Sequence, residues 1–309
     1  MTRSALNPSC RRWSITLILS WLFTGVALAA VVGGLGLLLI ESAPAWKHSG
    51  FEFVIGKKWF FRQSEFGAAP MIYGSIIVAI LAMILAAPVG IGAAIFGVEY
   101  LPRKWRLGLK VTVELLAGIP SVVYGLLGIL LLRNWIYEVF QDFDPLSGDT
   151  LLTAGVLLGL MILPTIMTLA DDALRGVPGT LRLAARGLGL TATETALHVS
   201  VPQAFPGLLA AVLLALGRAM GETIAVFLVI GRQDNQWPSS ILSLKPLLES
   251  GQTLTSKLGG SETNIAYGQP LHWGAIMGLG LVLLSLVVII TLTGAWLQRI
   301  SFRQHQQHS

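Results

Sequence analysis

The chain has 309 residues, 54% apolar and only 12% charged, with a mean hydropathy of +0.71. That balance excludes an ordinary water-soluble globular domain. The net charge of +5 accompanies long uncharged runs, so it reflects membrane topology rather than nucleic-acid binding. A lone Cys10 excludes an internal disulfide and any Cys-cluster metal site.

A bilayer core about 30 Å thick needs ~20 apolar residues per helix, and six stretches meet that length. In chain order they are 13–40, 71–98, 111–132 with Glu114 near its start, 151–170, 207–230 containing Arg218 and Glu222, and 271–297 with Trp273 and Trp296 near its ends. The first run follows Arg11 and Arg12 like a signal peptide, but it continues to Ile40, longer than the ~7–15 apolar residues of a signal segment, and is read as an uncleaved helix. The predicted fold class is therefore all-α: a polytopic membrane protein of six transmembrane helices. Its parts are a tail and first helix (1–40), an outer loop (41–70), a core of five helices (71–297) with an inner loop at 171–205 and a second outer loop at 232–270, and a tail (298–309).

Basic residues set the expected orientation. Arg3, Arg11 and Arg12, then Arg103, Lys104 and Arg106, then Arg175, Arg182 and Arg186, then Arg299 and Arg303 all fall on one side, whereas the loop after the third helix holds Glu138, Asp142, Asp144 and Asp149. Both termini are expected in the cytoplasm. Three GxxxG pairs, Gly155/Gly159, Gly217/Gly221 and Gly274/Gly278, predict close helix approach. Pro88, Pro120 and Pro164 are expected to interrupt the second, third and fourth helices.

The inner loop carries its own helix signals. Pro178 starts a short helix over 181–186, and Gly187 and Gly189 stop it. Thr191 and Glu194 form a T-x-x-E capping box that opens a second helix, predicted to run to Pro202. Taken alone, these signals also fit an amphipathic hairpin lying on the membrane surface.

Arg218 lies eleven residues into the fifth stretch, roughly 16 Å into the slab at 1.5 Å per residue. Glu222, at i+4, is expected on the same helix face and paired with it. The two charges cost ~2.5–3.5 kcal/mol each, while twelve Leu, Ile, Val and Phe return about 0.3–0.6 kcal/mol each, so insertion is close to neutral. Such a face must meet protein or water. Two uses are open: an ion pair that fixes helix register, or a guanidinium fork for a tetrahedral oxyanion.

Several strings carry a family resemblance. Leu183-Ala184-Ala185-Arg186-Gly187-Leu188-Gly189, nine residues, then Val199-Ser200-Val201-Pro202 resembles the EAA loop of ABC importer permeases, with Leu183 in place of the Glu. The string from Glu114 to Gly125, ELLAGIPSVVYG, the segment from Gly217 to Val226, and the segment from Phe66 to Gly74 resemble phosphate-importer permeases, the last more a PstC-type than a PstA-type subunit. The resemblance implies a type I ABC importer permease (MetI-like) fold in a bacterial inner membrane. It also implies a PstA-type second permease, two PstB-type ATP-binding subunits and a periplasmic PstS-type phosphate-binding protein as partners. It places Arg218, Glu222, Ser121 and Tyr124 on the substrate pathway, and Ala184, Ala185, Gly187, Gly189, Thr191, Glu194 and Pro202 at the contact with the ATPase. Gly56-Lys57 lacks the upstream glycine of a phosphate-binding loop, Phe51 standing there. No cofactor or metal is expected in this chain; ATP and Mg belong to the partner. Cargo of another kind (molybdate, sulfate, phosphonate) and an ion-coupled carrier are the alternatives left open.

Overall fold

The computed structural model describes residues 15–143, 145–238 and 245–307. Cys10, the tail arginines Arg3, Arg11 and Arg12, Asp144, residues 239–244 and the side chains of Arg103, Arg299 and Arg303 lie outside the described residues. The chain runs through α1 (Ile15–Ser49), α2 (Glu52–Ile55), a ribbon of β1 (Trp59–Phe60) and β2 (Glu65–Phe66), α3 (Ala69–Glu99), α4 (Arg103–Ala117), α5 (Ser121–Leu127) and α6 (Arg133–Val139). There follow α7 (Leu151–Arg175), α8 (Gly179–Gly187), α9 (Ala192–Thr195), α10 (Val201–Gly221), α11 (Ile224–Val229), α12 (Leu254–Leu258), α13 (Glu262–Ala266) and α14 (Pro270–Gln307). The ribbon is antiparallel, with Trp59 opposite Phe66; otherwise the fold is helical.

Among the described residues, six helical segments are long and apolar enough to cross a membrane: Leu17–Ser49, Ala69–Glu99, Ser121–Val139, Leu151–Arg175, Ala192–Gly221 and Pro270–Trp296. The count agrees with the sequence, but three segments differ from expectation. The first helix continues past Glu41, whose carboxylate accepts a hydrogen bond from Trp273 Nε1 at 3.1 Å. The third breaks at Gly118–Pro120 and is extended on both sides, by α4 and by a π turn (Gly128–Leu132) into α6. The fifth starts earlier and ends earlier. The helix predicted to stop at Pro202 instead passes through a π turn (Ala196–Ser200) into α10, where Pro202 occupies the first turn. Pro202 has no N–H to donate to the preceding turn, and the wider π turn accommodates its ring within the continuous helix.

α7 is the most buried span and lies against α3. A Cβ on Gly155 would meet Leu81 at 2.6 Å, and one on Gly159 would meet the Ala82 carbonyl at 3.2 Å. Gly278 admits the Phe53 ring and Gly274 the α1 backbone at Glu41. In lipid, where water does not drive helices together, this close packing is what holds them. A Cβ on Gly217 or Gly221 would meet nothing within 4 Å, so this glycine pair faces out of the chain. Pro164 is buried within an unbroken α7 and Pro88 is exposed within an unbroken α3; of the three prolines, only Pro120 marks a break.

One end of the bundle, the ribbon end, carries a buried polar cluster. Lys257 Nζ lies 2.6 Å from Asp234 Oδ2 and 2.5 Å from Glu262 Oε2. Glu262 Oε1 also accepts from Trp59 Nε1 at 2.7 Å and lies 2.8 Å from His272 Nε2. Phe61 and Phe66 stack on the His272 ring. The two loops, far apart in sequence, are thereby fastened to each other and to α14. Burial pushes the Glu262 carboxyl up, but hydrogen bonds from Lys257, Trp59 and His272, with the Lys257 charge, outweigh it and leave the group below its ordinary 4.5. Folding therefore favours the ionised form; this stabilisation is complete above pH 4.5 and drains as the pH falls through the lowered value. Lys257→Met strands two carboxylates, one of them largely buried, and is expected to cost about 3–5 kcal/mol. Thermal unfolding in detergent checks both points, with a lower midpoint for the variant and a pH dependence confined to the acid side.

Candidate functional site

Arg218 lies in the last turn of α10. Its Nη1 donates to Thr165 Oγ1 at 3.2 Å, the one hydrogen bond it makes among the described residues. Thr165 is fourteen residues from Leu151 and ten from Arg175 along α7, about 21 Å and 15 Å at 1.5 Å per residue. The guanidinium is thus held beside the middle of α7. It is exposed, on the same open side as Gly217 and Gly221, and four of its five N–H donors have no acceptor in the described residues.

The expected ion pair with Glu222 does not form. α10 ends at Gly221, and Glu222 takes an extended conformation (φ −70°, ψ 121°), so its side chain no longer stands one turn above Arg218. Among the described residues no ion pair within 4.0 Å joins them. The break is held by hydroxyls: Thr255 Oγ1 donates to the Glu222 carbonyl at 3.0 Å, and Thr223 Oγ1 donates to the Gly221 carbonyl at 3.3 Å. α11 then resumes at Ile224 and packs Ala225 and Leu228 onto Gly125 of α5.

Tyr124 has a structural task at the other break. Pro120 cannot donate to the Leu116 carbonyl four residues back, and Tyr124 Oη donates there at 3.0 Å. Ser121 opens α5 directly after Pro120. Tyr124 packs against the same apolar cluster that contains Ala219 and Ala225, but no polar contact links Ser121, Tyr124, Arg218 and Glu222 to one another among the described residues.

At the other end of the bundle, α8 and α9 form an elbow. α8 closes in a Schellman turn: Gly189 has φ +90°, its N–H meets the Arg186 carbonyl at 3.0 Å and the Leu190 N–H meets the Ala185 carbonyl at 3.2 Å. The positive φ is why glycine stands there. Thr191 and Glu194 form the expected reciprocal capping box. Ala185 is buried against the bundle, while Ala184, Gly187 and Gly189 face outward, flanked by Leu183 at 71% exposure and Leu188 at 83%. An apolar surface of this kind on a turn outside the membrane spans suits a protein partner.

Sequence reasoning missed Thr165, Thr255, Arg182 and Glu99. The first two are ordinary threonines in apolar or loop segments. Arg182 reads as one more basic loop residue, yet it lies 3.0 Å from Glu99, whose side chain is 2% exposed.

Residues 86–304 match the family described as binding-protein-dependent transport system inner membrane component. The chain is 32% identical to the phosphate transport system permease protein PstC of Mesorhizobium japonicum, over 97% of this chain and 96% of that protein. It is 37% identical to the probable ABC transporter permease protein YqgH of Bacillus subtilis, over 79% and 76%, and 30% identical to a probable PstC of Methanocaldococcus jannaschii, over 89% of each. Among solved structures, a chain of the inward-facing MetNI methionine ABC transporter matches with a TM-score of 0.54 at 18% identity, over 76% of this chain and 94% of that one. A chain of the bacterial alginate ABC transporter in complex with an alginate pentasaccharide-bound periplasmic protein matches at 0.54 and 15%, over 94% and 99%. At these identities the structural likeness is one of fold. The chain belongs to the binding-protein-dependent transport system inner membrane components and has the fold of a type I ABC importer permease.

Proposed function

We propose that this chain is the transmembrane permease subunit of an ATP-driven importer of inorganic phosphate, working by alternating access with both termini in the cytoplasm. The observation that carries the reading is Arg218, an exposed guanidinium beside the middle of α7, held by a neutral hydroxyl rather than a carboxylate. The names of the relatives supply the cargo: those at 30–32% identity are phosphate transport permeases. A charge-assisted fork of this kind suits a tetrahedral oxyanion. A transit site must also release its ion, and a single exposed arginine favours brief occupancy.

The pathway in this reading runs between two permease subunits, along the side on which Gly217, Arg218 and Gly221 are open. Glu222 and Ser121 flank it, and Tyr124 keeps the third span's break in shape. On the cytoplasmic side, Ala184, Gly187 and Gly189 with Leu183 and Leu188 meet an ATP-binding subunit, and Thr191, Glu194 and Pro202 hold the elbow's second leg. ATP and Mg are bound by that partner, and a periplasmic binding protein delivers the ion to the ribbon end. Closure of the ATP-binding subunits moves the elbow as a rigid body and reopens the bundle on its other side.

Two outcomes follow. Arg218→Gln loses charge-assisted hydrogen bonds worth ~1.5–3 kcal/mol, or about 10- to 100-fold, so uptake of labelled phosphate is expected to fall by at least that factor while the chain still inserts. Undiminished uptake removes the Arg218 site. In a Cys10→Ser chain, Leu183→Cys is expected to crosslink to the ATP-binding subunit from the cytoplasmic side; labelling of that cysteine from outside the cell rules out the coupling role.

A further inference from the structure

The geometry points to Glu99 and Tyr100, at the end of α3, as positioning residues for transport: the joint through which the elbow moves the second span. The inference rests on the elbow meeting an ATPase, as proposed above, and assigns a task to residues that reading leaves unused.

Arg182 of α8 gathers three spans. Its Nη2 donates to the Leu174 carbonyl in the last turns of α7 at 2.7 Å, its Nε donates to Ser200 Oγ at 3.1 Å in the π turn leading to α10, and its Nε lies 3.0 Å from Glu99 Oε1 of α3. The next residue, Tyr100, donates its hydroxyl to Thr193 Oγ1 of α9 at 2.9 Å. Two consecutive residues of one span therefore grip both legs of the elbow. Arg106 of α4 donates through Nε to the Gly97 carbonyl at 2.7 Å and through Nη2 to the Val98 carbonyl, closing the final turn of α3 so that it moves as a unit.

The Glu99 contact is incomplete in an informative way. Oε1 is buried and close to Nε, yet it receives no hydrogen bond. A buried carboxylate oxygen without a donor is costly, and a small rotation of α8 would turn a guanidinium N–H towards it. Arg182 Nε carries one N–H and stands within reach of two acceptors, Ser200 Oγ at 3.1 Å and Glu99 Oε1 at 3.0 Å, so such a rotation would exchange one for the other.

α3 carries the motion far enough to matter. It is 31 residues long, about 46 Å at 1.5 Å per residue. At its far end, Ser75 Oγ accepts the Leu254 N–H at 2.9 Å and Gly74 abuts the Gln252 carbonyl. Leu254 begins α12, whose Thr255 holds the Glu222 carbonyl just after Arg218. A shift of the joint is thereby delivered to the break beside the anion-binding arginine.

The test uses the full transporter, with partner subunits and phosphate-loaded binding protein, in proteoliposomes, and reads phosphate moved per ATP hydrolysed. Glu99→Gln is expected to assemble and hydrolyse ATP while that ratio falls at least tenfold, and Tyr100→Phe to lower it about threefold. An unchanged ratio in an assembled Glu99→Gln complex overturns the proposal. If Glu99→Gln fails to assemble, Tyr100→Phe decides: it removes only an exposed hydroxyl, and an unchanged ratio there also overturns the joint. A wild-type transporter that moves a different oxyanion sinks the phosphate reading and leaves the joint testable on that ion. A chain that recruits no ATPase overturns both.

Discussion

Lipid offers a backbone no hydrogen-bond partner, and the way this chain interrupts its helices follows from that constraint. At both breaks described above a nearby hydroxyl bonds a carbonyl. Tyr124 joins the Ile119 N–H on the Leu116 carbonyl below Pro120, and Thr255 and Thr223 bond the Glu222 and Gly221 carbonyls at the second break. Each such bond is worth only about 1 kcal/mol net when made, but an orphaned carbonyl in hydrocarbon costs several. The breaks are therefore fixed features, and the residues beside them, Ser121 and Arg218, keep fixed positions relative to the bundle.

Charges are distributed by the same reasoning. Most ionised side chains lie beyond the spans or at their ends, where burial is balanced by ion pairs: Lys257 with Asp234 and Glu262 in the ribbon-end cluster, and Arg182 with Glu99 at the elbow. Such pairs add little net stability over an apolar replacement, but removing one member is expensive, which makes them effective fasteners between segments distant in sequence. Among the described residues, Arg218 has no carboxylate within 4.0 Å.

The sequence made the periodic and local features legible. Uncharged runs of about twenty residues gave the six spans, because bilayer thickness fixes that length. The Thr191–Glu194 capping box and the Gly189 turn were readable because their partners lie within a few residues. Features that depend on distant partners were hidden: Trp59 meets Glu262 across 203 positions, and nothing near either residue announces the other. The fifth span was misplaced for a different reason. Apolar composition continues smoothly across Gly221, Glu222 and Thr223 to Ile230, so hydropathy registers no break, although Gly221 followed by a polar pair was a local hint of a helix end.

That misplacement bears on how an anion would be held. Had α10 continued, Glu222 would stand one turn from Arg218 and neutralise it, and an incoming anion would have to displace a carboxylate rather than a hydroxyl. With the helix ended at Gly221, the one partner the anion meets among the described residues is the Thr165 hydroxyl, which occupies one of the five N–H donors. The guanidinium retains its charge, and leaving it costs the anion little, because Thr165 is in place to take the freed donor. A weak neutral partner thus suits a site that must fill and empty in every cycle better than the strong charged partner suggested by the spacing of the sequence.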